Sequence, residues 1–410
     1  MGGKIADSNL ADKGSRSYEW AASRMGIVEK VRAMNESSQL LAGFRLGFCL
    51  HITKETSVLA MAAKSLGADI GICSANPLSA QDDIAAFLYN KDVNVYAWRG
   101  ETESEYQQCI RSVLAFRPDI VTDDGGDLHS MVHQQKVRDI MGGTEETTSG
   151  VKRLVALEKA GILLYPIIAV NNARTKYLFD NRHGTGQSTL DGILRATGIL
   201  LAGKNVVVCG YGWVGKGVAS RAKGMGAIVT ITEVDPIKAI EAKMDGFEVM
   251  RMSDAAPAGD IFITCTGQTC VIRKEHFLKM KNAAILANAG HFDVEIDIES
   301  LYGISCYQPV QISPNIERFD VNGKKLFLLS KGRVVNLVAA EGHPPEVMAL
   351  SFANQLLSIL YIAKNYDRMK VKVHDVPEQI DQDVGRYALD SMDVKIDQMI
   401  EKQERYQQSS

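Results

Sequence analysis

The sequence predicts an α/β protein of two doubly wound parallel-sheet domains followed by a short helical C-terminal tail. Three observations carry this. Apolar strand-like runs alternate with helical patterns through the first 200 or so residues, the pattern of a parallel sheet with helices on both faces. A second alternating series starts near Gly203. The length of 410 residues, 46% hydrophobic and 23% charged, exceeds one core and suits two.

In chain order, residues 15–36 read as helical and 44–50 as a strand. A helix at 55–66, a strand at 69–73, a helix at 80–89 and a strand at 93–98 follow. Next come a helix at 104–116 and a strand at 120–122. The second series places strands at 205–209, 228–232, 261–264, 284–288 and 334–337. Pro344-Pro345 breaks the chain. The helix at 346–365, apolar at Val347, Leu350, Leu356, Leu357 and Leu360, is expected to cross back to the first domain. The first domain is thus placed at 1–182 plus 344–375 and the second at 183–343, with hinge crossings near 181–186 and 340–344. The polar tail, 376–410, is expected to dock on a neighbouring subunit.

Lys plus Arg number 46 and Asp plus Glu 49, a net charge of −3 that suggests neither nucleic acid nor membrane as a partner. No apolar run reaches the ~18 residues of a spanning helix, and the polar N-terminus lacks a signal-peptide core. Met1-Gly2 is followed by Ala6 where a myristoylation signal needs Ser or Thr. The seven scattered cysteines contain no CxxC and read as free thiols of a reducing, cytoplasmic setting.

The strand 205–209 runs into Gly210-Tyr211-Gly212-Trp213-Val214-Gly215, and Glu233 ends the next strand. This is the order of a Rossmann dinucleotide-binding unit. Gly210 makes the tight turn, Gly212 admits the pyrophosphate, and Gly215 allows helix–strand packing. A carboxylate at Glu233 accepts from both ribose hydroxyls and repels a 2′-phosphate, which favours NAD; Lys238 slightly opposes this.

His51 closes a strand before Thr53, Glu55 and Thr56, where Thr53 is equally a helix cap. Asp123-Asp124-Gly125-Gly126-Asp127 follows another strand, and paired carboxylates there suit proton transfer. His129 and His133 have the i, i+4 spacing of metal ligands, but no further ligand cluster supports them and no metal is expected. Glu145 to Gly150 is rich in hydroxyls and acids at a helix start. Lys176 and Asp180 form an exposed ion pair by default, or in a cleft a lysine held by a carboxylate for work at a sugar hydroxyl. Asn288-Ala289-Gly290-His291 follows a late strand, so His291 would face the nicotinamide edge.

These segments together resemble the S-adenosyl-L-homocysteine hydrolases. The matching pieces include His51-Ile52-Thr53-Lys54-Glu55-Thr56, Tyr96-Ala97-Trp98-Arg99-Gly100-Glu101-Thr102, Asp123 to Leu128, Glu145 to Gly150, Phe179-Asp180-Asn181, Thr232-Glu233-Val234-Asp235-Pro236, Gly290-His291-Phe292-Asp293 and Gly342-His343-Pro344, in family order. Thr185-Gly186-Gln187-Ser188 and the short C-terminus resemble the archaeal and thermophilic-bacterial branch. The resemblance implies reversible hydrolysis of S-adenosyl-L-homocysteine to adenosine and homocysteine. One tightly held NAD per subunit oxidises the ribose 3′-hydroxyl, elimination and water addition follow at C4′ and C5′, and the ketone is reduced again. A cytoplasmic homotetramer is implied as well.

By the same resemblance, Lys176 and Asp180 handle the 3′-hydroxyl proton. His51 and Asp124 manage protons around C4′ and C5′, with His291 near C5′. Glu146 and Thr53 hold ribose hydroxyls, while Glu55, Thr56 and His343 read the base. Thr147, Thr148, Ser149, Asn181, Gly210, Gly212, Trp213, Val214, Gly215, Glu233, Asp235, Lys238, Thr266, Gly267, Asn288, Gly290, His291 and Asn336 surround NAD. The chain departs from the family at Trp213, where Asp is usual, at Lys238, where Asn is usual, and at Thr185, where Cys is usual. Glu55 favours adenine, because a carboxylate accepts from a 6-amino group and faces the lone pairs of a 6-keto oxygen. The alternatives are an S-inosyl-L-homocysteine or other nucleoside-processing relative and, outside the class, an NAD-dependent hydroxyacid dehydrogenase.

Overall fold

Strand-forming runs rich in Val and Ile, most of them followed by a helix, dictate the architecture seen in the computed structural model, which describes residues 2–408. The strands are β1 (Lys4–Ile5), β2 (Arg45–Cys49), β3 (Asp69–Cys73), β4 (Asn94–Ala97), β5 (Ile120–Asp123), β6 (Gly142–Glu145) and β7 (Ile167–Ala169). Then come β8 (Asn205–Cys209), β9 (Ile228–Thr232), β10 (Glu248–Val249), β11 (Ile261–Thr264), β12 (Ala284–Asn288), β13 (Val310–Ser313), β14 (Ile316–Val321), β15 (Lys324–Leu329) and β16 (Val373–Asp375).

They form two eight-stranded sheets, ordered β1-β4-β3-β2-β5-β6-β7-β16 and β10-β9-β8-β11-β12-β15-β14-β13. All pairings are parallel except β15-β14 and β14-β13. Strand order reverses between β2 and β5 in the first sheet and between β8 and β11 in the second. Such switch points open a crevice at the carboxyl ends of the strands. The registers Cys49↔Asp123 and Cys209↔Thr264 set His51 beside Asp124 and the glycine turn beside Cys265.

Four apolar clusters cover the sheet faces. The helix Pro345–Asn365 packs on the helices Gly26–Asn35 and Lys54–Ser65 and so returns to the first domain. Over 18 residues it is long and apolar enough for a span, contrary to the expectation, but 67% of that window is buried inside the protein. Its Ser351, Asn354, Gln355 and Ser358 are buried too, a polar stripe from which Ser351 and Gln355 reach the site.

Several elements depart from the sequence reading. The expected strand at 334–337 is instead a short helix, Val335–Val338, with one bridge from Val334 to Asn288. The place beside β12 belongs to β15, the last strand of an antiparallel meander the reading missed. Its signal was present in Asn322-Gly323, whose φ values of 49° and 75° make the tight hairpin turn. Residues 15–36 divide at Met25 into Ala11–Arg24 and Gly26–Asn35. Of the expected tail, Glu378–Ser391 packs on its own chain with Val384 and Ala388 buried, because those two residues at i, i+4 form an apolar stripe. Residues 391–407 are exposed. Cys49, Cys73, Cys109 and Cys209 are buried and Cys265 is partly so, whereas Cys270 and Cys306 are exposed; all seven are unbridged.

Candidate active site

The carboxyl ends of β2, β5, β6 and β7 supply His51, Asp124, Glu146 and the segment carrying Lys176. Those of β8, β11 and β12 face them with Gly212, Thr266 and His291. All line one cavity of about 410 Å³ between the domains.

His51 Nδ1 lies 2.7 Å from Ser79 Oγ, and its Nε2 lies 3.5 Å from Asp124 Oδ2. The Ser79 hydroxyl also lies 3.0 Å from Asn76 O; when it donates there it accepts from His51 Nδ1, the tautomer that leaves the Nε2 lone pair free. Burial holds the imidazole neutral, with its pKa down at about 4 despite the Asp124 charge. His291 Nδ1 reaches Asp124 Oδ1 from the second domain at 3.7 Å. Gly125 permits this approach: its φ is +114°, and a Cβ there would lie 2.3 Å from His291 Nε2.

A second constellation centres on Lys176. Its Nζ is 2.7 Å from Asp180 Oδ2, 2.7 Å from Asn181 Oδ1 and 3.6 Å from Glu146 Oε1. Asp180 and Asn181 lie on a π-helical stretch, Tyr177–Gly184, a geometry that recurs at functional sites. Asp180 also bonds His343 Nδ1, and His343 Nε2 is 3.2 Å from Thr185 Oγ1. Burial pulls the Lys176 pKa down, but the Asp180 and Glu146 carboxylates outweigh it and hold the ammonium charged. Burial likewise pushes Asp180 up, yet His343 and Lys176 drive it well below the usual carboxylate range. Burial lowers His343, and Asp180 reverses that to a net rise. Glu146 differs: burial lifts it to about 7 against the pull of Lys176.

The supporting layer comes from distant chain segments. Gln355 Nε2 donates to Glu146 Oε2 at 2.6 Å, and Ser351 bonds the other oxygen. Asp381, from the helix Glu378–Ser391, accepts from the Arg174 and Thr175 amides at 2.8 and 2.9 Å, which fixes the turn that presents Lys176. Behind Asp124 and Glu146 lie Asp123 and Glu145, both fully buried. Burial raises both carboxyl pKa values. Asp123 Oδ1 accepts from the Asp124 amide, while Glu145 Oε1 accepts from Gly125 and Thr147.

At the far end, Thr53 caps the helix Lys54–Ser65 and Thr56 Oγ1 donates to His51 O at 2.6 Å. Glu55 is buried, and its Oε1, 3.4 Å from Lys54 Nζ, has no hydrogen-bond partner. Burial raises its pKa, and Lys54 opposes the rise. A buried carboxylate on a cavity wall, paired only with the neighbouring Lys54, is a place for a ligand donor.

A second cavity, about 650 Å³, continues from the first over the glycine turn. Gly212 has open space above it. A Cβ on Gly215 would sit 2.0 Å from Gly210 O, so only glycine lets the helix Trp213–Gly224 start so close to the turn. Glu233 is held by the Tyr211, Val234 and Asp235 amides at 2.7, 2.7 and 3.1 Å. A glycine turn, a helix N-terminus and a carboxylate at the next strand end fit a dinucleotide with free ribose hydroxyls.

Every residue nominated from the sequence lines one of the two cavities except Gly215 and Asn288. Asn288 is fully buried; its amide nitrogen donates to Gly290 O, Phe292 O and Gly332 O, and its oxygen accepts from Thr264 and Gly290. It therefore shapes the loop that carries His291. The His129 and His133 rings are engaged elsewhere, with Tyr165 and Thr144 O, and with His129 O and the Leu164 amide. Sequence reasoning missed Lys54, Lys152, Ser351 and Gln355. Only the polar stripe in an otherwise apolar helix signalled the last two.

Residues 3–141 match the family described as S-adenosyl-L-homocysteine hydrolase, and residues 181–342 match its NAD binding domain. The chain is 53% identical over 405 residues to an adenosylhomocysteinase of Sulfurisphaera tokodaii, covering 98% of this chain and 97% of the relative. It is 50% identical over 410 residues to an adenosylhomocysteinase of Saccharolobus solfataricus, with 99% and 98% covered. It is also 49% identical over 406 residues to an S-inosyl-L-homocysteine hydrolase of Methanocaldococcus jannaschii, with 98% of each covered.

Proposed function

The chain belongs to the S-adenosyl-L-homocysteine hydrolase family, and on that premise we propose that it hydrolyses S-adenosyl-L-homocysteine to adenosine and homocysteine. The observation that carries this reading is the meeting, in one cavity, of a lysine–carboxylate network and a neutral histidine beside a dinucleotide cleft. When bound, NAD would supply a reversible hydride acceptor for the ribose 3′-carbon. Thr147, Thr148, Asn181, Gly212, Thr266, Glu233 and Asn336 would hold it.

Charged Lys176 donates to the 3′-oxygen and orients it. Glu146, with a pKa near neutrality, accepts the proton released there through its contact with Lys176. Asp180 and His343 hold the lysine in place. His51 Nε2, neutral and aimed into the cavity, takes the C4′ proton, with Asp124 and His291 flanking it and serving the leaving sulfur and entering water. Glu55 accepts from the 6-amino group. We propose a cytoplasmic homotetramer as the working form, as the resemblance to the family implies.

A second reading has specific support: the raised pKa of Glu55 and the S-inosyl relative. Protonated Glu55 would donate to a 6-keto oxygen. Homocysteine release from the adenosyl and inosyl substrates should therefore be measured side by side from about pH 5 to about pH 8. The adenosyl compound should turn over faster at neutral pH, with its advantage growing as pH rises. Faster inosyl turnover throughout contradicts the adenine assignment.

A further inference from the structure

Five residues line both cavities: Lys152, Gly212, Lys238, Cys265 and Thr266. They mark the neck that joins the two cavities. Gly212 begins the helix Trp213–Gly224, whose N-terminal amides favour phosphate at this point. From the opposite wall comes the helix Thr148–Lys159. Thr147, Thr148 and Ser149 at its start line the first cavity, and Lys152 lies one turn in.

Of the residues lining the second cavity, Lys152 alone comes from the first domain. The other cations there are matched: Lys238 with Asp235 at 3.7 Å, Arg251 with Asp254 at 2.9 Å, and Arg273 with Glu275 at 2.8 Å. Among the described residues, Lys152 has no carboxylate within ion-pair distance. Its Nζ lies 3.9 Å from where a Cβ on Gly267 would stand, so it reaches across the cleft to the turn after β11. We propose that Lys152 binds the pyrophosphate of the dinucleotide from the first domain, as a positioning residue that ties cofactor retention to closure of the two domains. Buried Glu295 feels the Lys152 charge, but its oxygens are already taken by Thr266 and Gly267, so the ammonium keeps its donors for a phosphate that it reaches only when both walls are in place.

The assignment rests on NAD as the resident group of the second domain. The test is the rate at which NAD leaves the purified holoenzyme, followed by dialysis and nucleotide analysis at low and high salt. Lys152→Met should release NAD about tenfold faster at low salt, and the gap should narrow at high salt, where phosphate contacts are screened. Lys152→Arg should restore retention. Lys159→Met makes the same charge change on the last turn of that helix and should release NAD at the parent rate. A Lys152→Met protein that holds NAD as long as its parent at every salt overturns the role of Lys152 while leaving the NAD reading intact. Wild-type protein that yields no dinucleotide on denaturation overturns the NAD reading, and the Lys152 assignment with it.

Discussion

At the residue scale, the site works by separating proton affinities among groups a few ångströms apart. Lys176 stays charged because two carboxylates surround it, His51 stays neutral because burial dominates, and Glu146 is lifted to about 7. The Glu146 shift has a stability consequence. Its ordinary pKa is 4.5, so between about 4.5 and about 7 the folded state binds more protons than the unfolded state, and stability falls as pH rises through that window. Glu146→Gln should therefore gain up to roughly 3 kcal/mol over its parent between those limits and match it below them, as read by denaturant unfolding. The same variant should lose at least about a hundredfold in kcat if Glu146 accepts the 3′-hydroxyl proton. His51 contributes with the opposite sign. The unfolded state binds the extra proton between the ordinary value of 6.5 and about 4, so this part of the stability is lost as pH falls.

At the element scale, the helix Pro345–Asn365 brings Ser351 and Gln355 to Glu146 although about 200 residues separate them in sequence. A donor to the ionised carboxylate stabilises that form. Gln355→Met should thus raise the Glu146 pKa by about one unit and move the rising limb of the pH–rate profile upward by the same amount. An unmoved profile would detach this helix from catalysis. The strands and helices between residues 44 and 125 and the glycine turn at 210–215 were legible in the sequence, because their periodicity and turn chemistry are local. The candidate acids and histidines were legible as strand-end residues. The meander at 310–329 was not: its alternation is weak and only Asn322-Gly323 marks it. Nor was the π-helical stretch, which local propensity does not encode. Asn288 sits in the expected place yet is turned inward by five hydrogen bonds, and pairing of that kind depends on tertiary contacts. Lys152, Ser351 and Gln355 gain meaning only once chain segments distant in sequence meet.

At the scale of the whole molecule, two doubly wound sheets present their switch points to each other, so that residues of both line one cavity. Across its rim, Lys54 reaches Glu341, in the segment before the helix Pro345–Asn365, at 3.3 Å, and Glu341 reaches Arg195 at 3.5 Å. Arg99 donates to Val338 O at 2.6 Å nearby. Removing the Glu341 charge should loosen closure with the chemistry intact. Glu341→Gln should raise KM about two- to fivefold, the worth of partly exposed ion pairs, with kcat little changed. A fall in kcat at constant KM would place Glu341 in the chemistry instead.

Closure of both halves around one cavity also explains why a dinucleotide domain belongs in a hydrolase: a hydride removed at the ribose must be returned before the product leaves. The most direct test supplies S-adenosyl-L-homocysteine deuterated at the ribose C3′ and follows homocysteine, the isotope and NADH together. Homocysteine should be released, adenosine should keep its deuterium at C3′, and no net NADH should accumulate. Absence of homocysteine, loss of the deuterium to solvent, or NADH rising in step with turnover would contradict it.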